Sequence, residues 1–175
     1  TLNFTPDPDF NGEVTFTYTP TDGADAGVPV TSKIVVTAVS DAPVGVNDTY
    51  TVNEDETLDA DAVGSNPKKV LFNDTDVDGD PLKAVLVTDV QFGTLVLQEN
   101  GAFTYVSDPD STADDTFTYK AEDSSGEQSN LVTVTITVVP VDDSPVAVAD
   151  TFSVDEDITL NSPSSVLDND TDIDT

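Results

Sequence analysis

Residues 132–138 read VTVTITV. Val132, Val134, Ile136 and Val138 take one face of an extended chain and Thr133, Thr135 and Thr137 the other, the period of two that marks a half-buried strand. The segment before it behaves alike: Phe117, Tyr119 and Ala121 point one way, Thr116, Thr118 and Lys120 the other. Phe103 and Tyr105 repeat the pattern after Asn100-Gly101, a pair that favours a tight hairpin turn. Further strands are expected at 48–53, 57–59, 69–72, 82–90 and 93–98. Seven or so short strands at these spacings predict an all-β, Greek-key sandwich. Composition agrees. The chain holds 26 Val and 25 Thr, both β-branched, and 28 Asp against 7 Glu, a bias toward turns over helices. Aromatic residues recurring in pattern set it apart from a disordered acidic chain.

Charge excludes much chemistry. With 35 acidic residues against 5 lysines and a formal charge of -30, nucleic acid and anionic membranes are poor partners. His, Cys, Arg, Met and Trp are absent. Ser-His-Asp and Cys-His nucleophile systems therefore have no base or thiol, and zinc, haem and iron–sulfur sites lack their usual ligands. What remains is carboxylate oxygen, which suits a hard cation. No apolar run approaches the roughly 20 residues that span a bilayer, so no membrane insertion is expected. The chain starts at Thr1 with neither an initiator Met nor a signal-like segment, and reads as a piece of something longer.

Self-comparison supplies the organisation. Asp7–Tyr18 (DPDFNGEVTFTY) returns 101 positions later at Asp108–Tyr119 (DPDSTADDTFTY). Asp41–Leu58 (DAPVGVNDTYTVNEDETL) returns after 102 at Asp143–Leu160 (DSPVAVADTFSVDEDITL). Val70–Asp80 (VLFNDTDVDGD) returns after 96 as Val166–Thr175, because the first copy carries six extra residues around Asp61–Lys69. The unit is thus about 100 residues, the size of one sandwich domain. Residues 1–40 read as the C-terminal half of one repeat, 44–140 as a complete repeat and 146–175 as the N-terminal part of the next. The linkers centre on Pro43 and Pro145.

The strongest local signal is Asn73-Asp74-Thr75-Asp76-Val77-Asp78-Gly79-Asp80. Alternating Asp can fold around one ion, and Gly79 permits a sharp turn, as in the opening of an EF-hand loop. The twelfth position is Val85 where a bidentate Glu should stand, and the flanks are strand-like, so an EF-hand is excluded. Remaining ligands are expected from acids that recur: Glu54 and Asp55 (again Glu156 and Asp157), Asp7 and Asp9 (again Asp108 and Asp110), Asp22 (again Asp123), and the linker groups Asp41, Asn47 and Asp48, then Asp142, Asp143 and Asp150. Isolated acids such as Asp59, Asp61, Asp89 and Glu99 are ordinary surface carboxylates. The recurring clusters need a counter-ion, and calcium fits them.

These motifs together, NDTY, VNED, VLFNDTDVDGDPL, GTLVL, NGAFTY, DTFTYKAEDSSG, VTVTITV and a linker ending in DDSPVA, resemble the cadherin-like tandem repeats of large bacterial surface adhesins of the RTX/VCBS type, over the whole chain. The resemblance implies a cadherin- or immunoglobulin-like sandwich, an extracellular or cell-surface location on a bacterium, and calcium at the junctions between repeats. Glu54 resembles the cadherin glutamate at the end of the first strand. Asp108 and Asp110 stand where cadherins carry Asp-Arg-Glu, with Pro109 replacing the arginine. Asp142 and Asp143 resemble a shortened Asp-x-Asn-Asp-Asn linker. Asp170 and Asp172 would come from the following repeat. The same correspondence places Asp7, Asp9, Asp41, Asp74, Asp76 and Asp123 around the first junction, with Asp48 a further candidate and Asp78 in the same oxygen-rich loop.

The resulting expectation is a calcium-rigidified extender of an adhesin or surface fibre, serving cell adhesion or a biofilm matrix, whose partners are the neighbouring repeats. Two alternatives stand beside it. A carbohydrate-binding module would take polysaccharide, but sugar platforms need exposed rings, and Phe16, Tyr18, Phe117 and Tyr119 pair at i and i+2 as core residues do. A self-assembling filament would join other copies of the chain by strand or half-domain complementation. An enzyme is the remotest reading: paired carboxylates can serve glycoside hydrolysis, but these lie in repeated turns.

Overall fold

The structure is a computed structural model and describes residues 1–61, 68–162 and 164–174. It is all-β, with nine strands among the described residues. β1 (Gly12–Tyr18) and β2 (Val30–Val36) form an antiparallel pair. Seven strands build the middle repeat: β3 (Asp48–Asn53), β4 (Thr57–Asp59), β5 (Lys83–Thr88), β6 (Gly93–Leu97), β7 (Phe103–Ser107), β8 (Asp115–Glu122) and β9 (Val132–Val139). They form one sheet in the order β3-β9-β8-β5 and a second in the order β4-β7-β6. β3 runs parallel to β9, and every other pairing is antiparallel. Consecutive strands β3 and β4, β5 and β6, and β7 and β8 therefore change sheets, as a sandwich requires.

The alternation seen in the sequence becomes burial. Val132, Val134, Ile136, Phe117, Tyr119, Phe103 and Tyr105 are fully buried. Phe103 bridges the sheets, meeting Tyr50 edge-on at 4.9 Å and Phe117 at 5.5 Å. Such edge-to-face contacts are favoured by the ring quadrupole. The facing threonines point outward, with Thr116 and Thr49 both registered against Thr135.

Two expectations need correction. Residues 69–72 are not a strand: Val70–Phe72 form a short 3-10 turn. Val70 alone is fully buried there, and its N–H donates to the Gly101 carbonyl at 3.0 Å, while Phe72 is 65% exposed. One buried side chain needs no strand, and the turn delivers the chain into the Asn73–Asp80 loop. The strand expected at 82–90 is shorter, Lys83–Thr88, and carries a register shift between Leu86 and Thr88 before its last pair, Thr88 with Thr118. The expected insertion around 61–69 falls largely outside the described residues. In 146–174, an isolated antiparallel bridge joins Val146 to Thr171, matching Val44 and Thr75 in the middle repeat. Among the described residues no helix is long and apolar enough to cross a membrane.

Candidate metal centre

At the second joint, strand β3 runs straight into the acids. Glu54 N–H continues the parallel ladder by donating to Val139 O at 2.9 Å, and its side chain turns inward, only 3% exposed. There Oε1 accepts the Val141 N–H at 2.6 Å, fastening the start of the linker. Asp55 follows with φ +60°, and Asp110 after Pro109 with φ +58°. Asp and Asn tolerate this left-handed region better than most residues. Among the described residues every non-glycine with positive φ is an Asp, and the four form two repeat pairs, Asp9 with Asp110 and Asp55 with Asp157.

These turns converge on the linker. The carboxylate oxygens of Glu54, Asp143 and Asp174 lie within 4.8 Å of one another, and so do those of Asp55, Asp110 and Asp143. Asp143 is common to both groups. Its N–H donates to Asp174 Oδ2 at 2.5 Å, while its own Oδ2 is buried and has no hydrogen-bond partner. Burial, then the charges of Asp174, Asp55, Glu54 and Asp110, push its carboxyl above the usual range. Four acids from three stretches of chain, Glu54 with Asp55, Asp110, and Asp174, thus crowd one linker residue.

The first joint repeats part of this. Asp7, Asp9, Asp41 and Asp78 line a concavity of about 270 Å³. Asp41 N–H donates to Asp78 Oδ2 at 2.9 Å, the counterpart of the Asp143–Asp174 bond. Asp76 Oδ1 accepts the Asp78 N–H at 2.8 Å and the Asp80 N–H at 3.4 Å, closing a turn in which Gly79 adopts φ +77°. Asp76 Oδ2 is buried without a partner. Asp123 is similar. Its Oδ1 accepts from Ser125 N–H, Ser125 Oγ and Glu127 N–H, and its Oδ2 is buried and unpartnered. Burial opposes ionisation there, but the Ser125 hydroxyl and the backbone N–H groups of residues 125–127 hold the carboxyl below the usual range. Ser125 touches the linker through Ser40 Oγ at 3.1 Å.

Other expected ligands are engaged elsewhere. Asp74 Oδ1 accepts the Val46 N–H and Oδ2 the Tyr119 hydroxyl, both at 2.8 Å. Asp48 sits beside them, 3.4 Å from the same hydroxyl, and burial followed by the charge of Asp74 pushes its carboxyl up to about 7. This pair is an internal cluster beneath the loop. Asp170 repeats the Asp74 role by accepting the Val148 N–H at 2.9 Å, and Asp172 repeats that of Asp76 by accepting the Asp174 N–H at 3.0 Å. Asp108 contributes backbone bonds to Phe92 and Ser111, and Asp142 is exposed. Asp174 is not among the ligands expected from the sequence, and Asp55 is expected there only as a recurring acid with no place at the junction. Asp174 could have been found as the repeat counterpart of Asp78. Asp55 becomes a junction residue only through its left-handed turn.

The donor set is oxygen throughout, and the unpartnered buried oxygens of Asp143, Asp76 and Asp123 fit a hard cation such as calcium. Without a cation or protons, like charges so placed repel.

No curated protein matches the chain. Among solved structures it is similar to an endo-fucoidan hydrolase, MfFcnA4 of glycoside hydrolase family 107, at 17% identity over 78% of this chain and 20% of that one, with a TM-score of 0.42. It is also similar to the sialic acid binding region of a Streptococcus sanguinis SK1 adhesin bound to 3'sLn, at 18% identity over 66% of this chain and 36% of that one, with a TM-score of 0.37. The chain therefore spans well under half of either structure. The bacterial cadherin-like domain family matches residues 40–140, the seven-stranded sandwich with its leading linker, which is more than half of the chain. On that match, and with the sandwich and its joint acids arranged as described, the chain belongs to the bacterial cadherin-like domain family.

Proposed function

We propose that this chain is a calcium-rigidified extender of an extracellular bacterial adhesin or surface fibre, acting in adhesion or a biofilm matrix with its neighbouring repeats as partners. The observation that carries the reading is Asp143, one linker carboxylate shared by two acidic groups drawn from the middle repeat, the linker and the following repeat. Calcium held there would supply a shared charge for roughly six to eight oxygens. The chain's own residues do the rest. Glu54 fixes the start of the linker, Asp55 and Asp110 face it from left-handed turns, and Asp174 ties the next repeat to the Asp143 backbone. With their repulsion relieved, the two repeats keep one relative angle and an array becomes a stiff rod. Extracellular sites of this class bind at roughly 10⁻⁴ to 10⁻³ M, so calcium outside a cell would hold the joint closed.

Calorimetric titration of calcium should show saturable binding, and small-angle scattering of a multi-repeat chain should show a larger maximum dimension with calcium than with chelator. Equal dimensions in the two conditions would reject the extender reading. The sugar-binding alternative finds less support in the middle repeat, where Phe117 and Tyr119 are fully buried and offer no stacking platform, than at Tyr18, which is 50% exposed rather than core.

A further inference from the structure

We propose that Pro43–Asn47 belongs mechanically to the repeat that follows it, held by clamps that need no metal, with Asn130 as the positioning residue, so that the joint bends only before Pro43. A linker that swings must leave its backbone to water. This one does not. Pro43 is buried. Val44 exchanges two bonds with Thr75, N–H to O at 2.8 Å and O from N–H at 3.0 Å. Gly45 exchanges two with the Asn130 side chain, its N–H donating to Oδ1 at 3.0 Å and its carbonyl accepting from Nδ2 at 3.0 Å, so that one amide side chain acts as a strand partner. Val46 N–H donates to Asp74 Oδ1 at 2.8 Å, and its carbonyl accepts from Asn73 Nδ2 at 3.4 Å. Asn47 Oδ1 accepts the Thr133 N–H at 2.9 Å. Every backbone donor and acceptor from Val44 to Val46 is thus satisfied by the following repeat, which is the full accounting expected of a strand rather than of a tether.

Packing says the same. A Cβ built on Gly45 would stand 2.3 Å from Val132 Cγ2 and 3.1 Å from Ser129 Oγ, so the linker lies on β9 as closely as glycine allows. Two of the clamps recur at the next linker, where Val146 and Thr171 exchange bonds at 2.8 and 3.1 Å and Val148 N–H reaches Asp170 Oδ1 at 2.9 Å. Asp41, two residues before Pro43, is then carried by the same body that carries Asp76 and Asp78. Asp41, Asp76 and Asp78 are thus brought together before any ion arrives, and a hinge of a few residues remains between β2 and Asp41. The clamp stands whether or not the joint takes a metal, so it can fail or hold separately from the calcium reading.

The test is amide hydrogen exchange on the whole chain in excess chelator. The amides of Val44, Gly45, Val46 and Thr75 should exchange roughly tenfold or more slowly than those of Ala38–Ser40. Asn130→Ala should speed Gly45 exchange by about tenfold while Val134 and Ile136 in β9 keep their protection. Asn130→Asp keeps the acceptor for the Gly45 N–H but sets a carboxylate oxygen against the Gly45 carbonyl, so it should restore the Gly45 protection only in part. Exchange at Val44–Val46 as fast as at Ala38–Ser40 in chelator, or protection that returns only on adding calcium, would overturn the proposal. So would an Asn130→Ala variant whose Gly45 protection matches that of the parent.

Discussion

The tetrapeptide TFTY occurs twice, at Thr15–Tyr18 in β1 and at Thr116–Tyr119 in β8. Both copies are antiparallel strands, and even the register repeats: Tyr18 faces Val30 as Tyr119 faces Val132, and Thr17 faces Thr31 as Thr118 faces Thr133. Yet Phe117 and Tyr119 are fully buried, whereas Tyr18 is 50% exposed and Phe16 half-buried. In β8 the rings meet a second sheet through Phe103, and the Tyr119 hydroxyl reaches Val70 O and Asp74 Oδ2, both at 2.8 Å. In β1 the two rings lie 6.3 Å apart beside a single partner strand. The lesson is a division of labour. Local alternation makes the strand and its pairing, and a second layer makes the core.

The comparison breaks most visibly at phenylalanine. Phe117→Ala should cost about 3–5 kcal/mol in denaturant unfolding of the middle repeat, while Phe16→Ala should cost under about 1 kcal/mol there. Equal effects would mean that β1 contributes to the same core. Next comes the hydroxyl: Tyr119→Phe leaves a buried carbonyl and a carboxylate without their donor and should cost about 1–3 kcal/mol, whereas Tyr18→Phe should be silent. At the joints, Asp143→Asn should weaken calcium binding on the order of tenfold in a calorimetric titration, and the exposed neighbour change Asp142→Asn should weaken it far less.

The smallest expected effect concerns pH. Asp48 in the folded chain titrates at about 7 against an ordinary 3.8, so the folded state holds its proton more tightly than the unfolded state does. Stability should therefore fall as pH rises from about 4 to about 7, with the penalty complete above that window and absent below it. Asp48→Asn should relieve it at about pH 8 by on the order of 1 kcal/mol once solvent screening is discounted, and have little effect near pH 4. Its repeat counterpart Asp150 is exposed, and the same substitution there should change nothing, which chemical-shift titration and melting curves can check.

Much of the fold was legible because burial on one face writes itself into every second residue of β8 and β9. The exception, Val70–Phe72, was illegible for a related reason: three apolar residues in a row look like a short strand, and only the Gly101 carbonyl waiting for Val70 N–H shows that a single residue is buried. The candidate site was legible as a list of recurring acids. It was not legible as a division between acids that face the joint, such as Asp143, Asp78 and Asp174, and acids folded under Tyr119, such as Asp48 and Asp74. Both kinds recur in the repeat, and both are Asp.

By itself the sequence determined the all-β class, the repeat of about 100 residues and the restriction to carboxylate oxygen, since these follow from side-chain period, self-similarity and the absence of other ligand types. Only the tertiary structure decided which carboxylates converge. That depends on left-handed turns at Asp55 and Asp110 and on where a linker clamped along β9 sets down Asp41, contacts between residues far apart in the chain that no local pattern encodes.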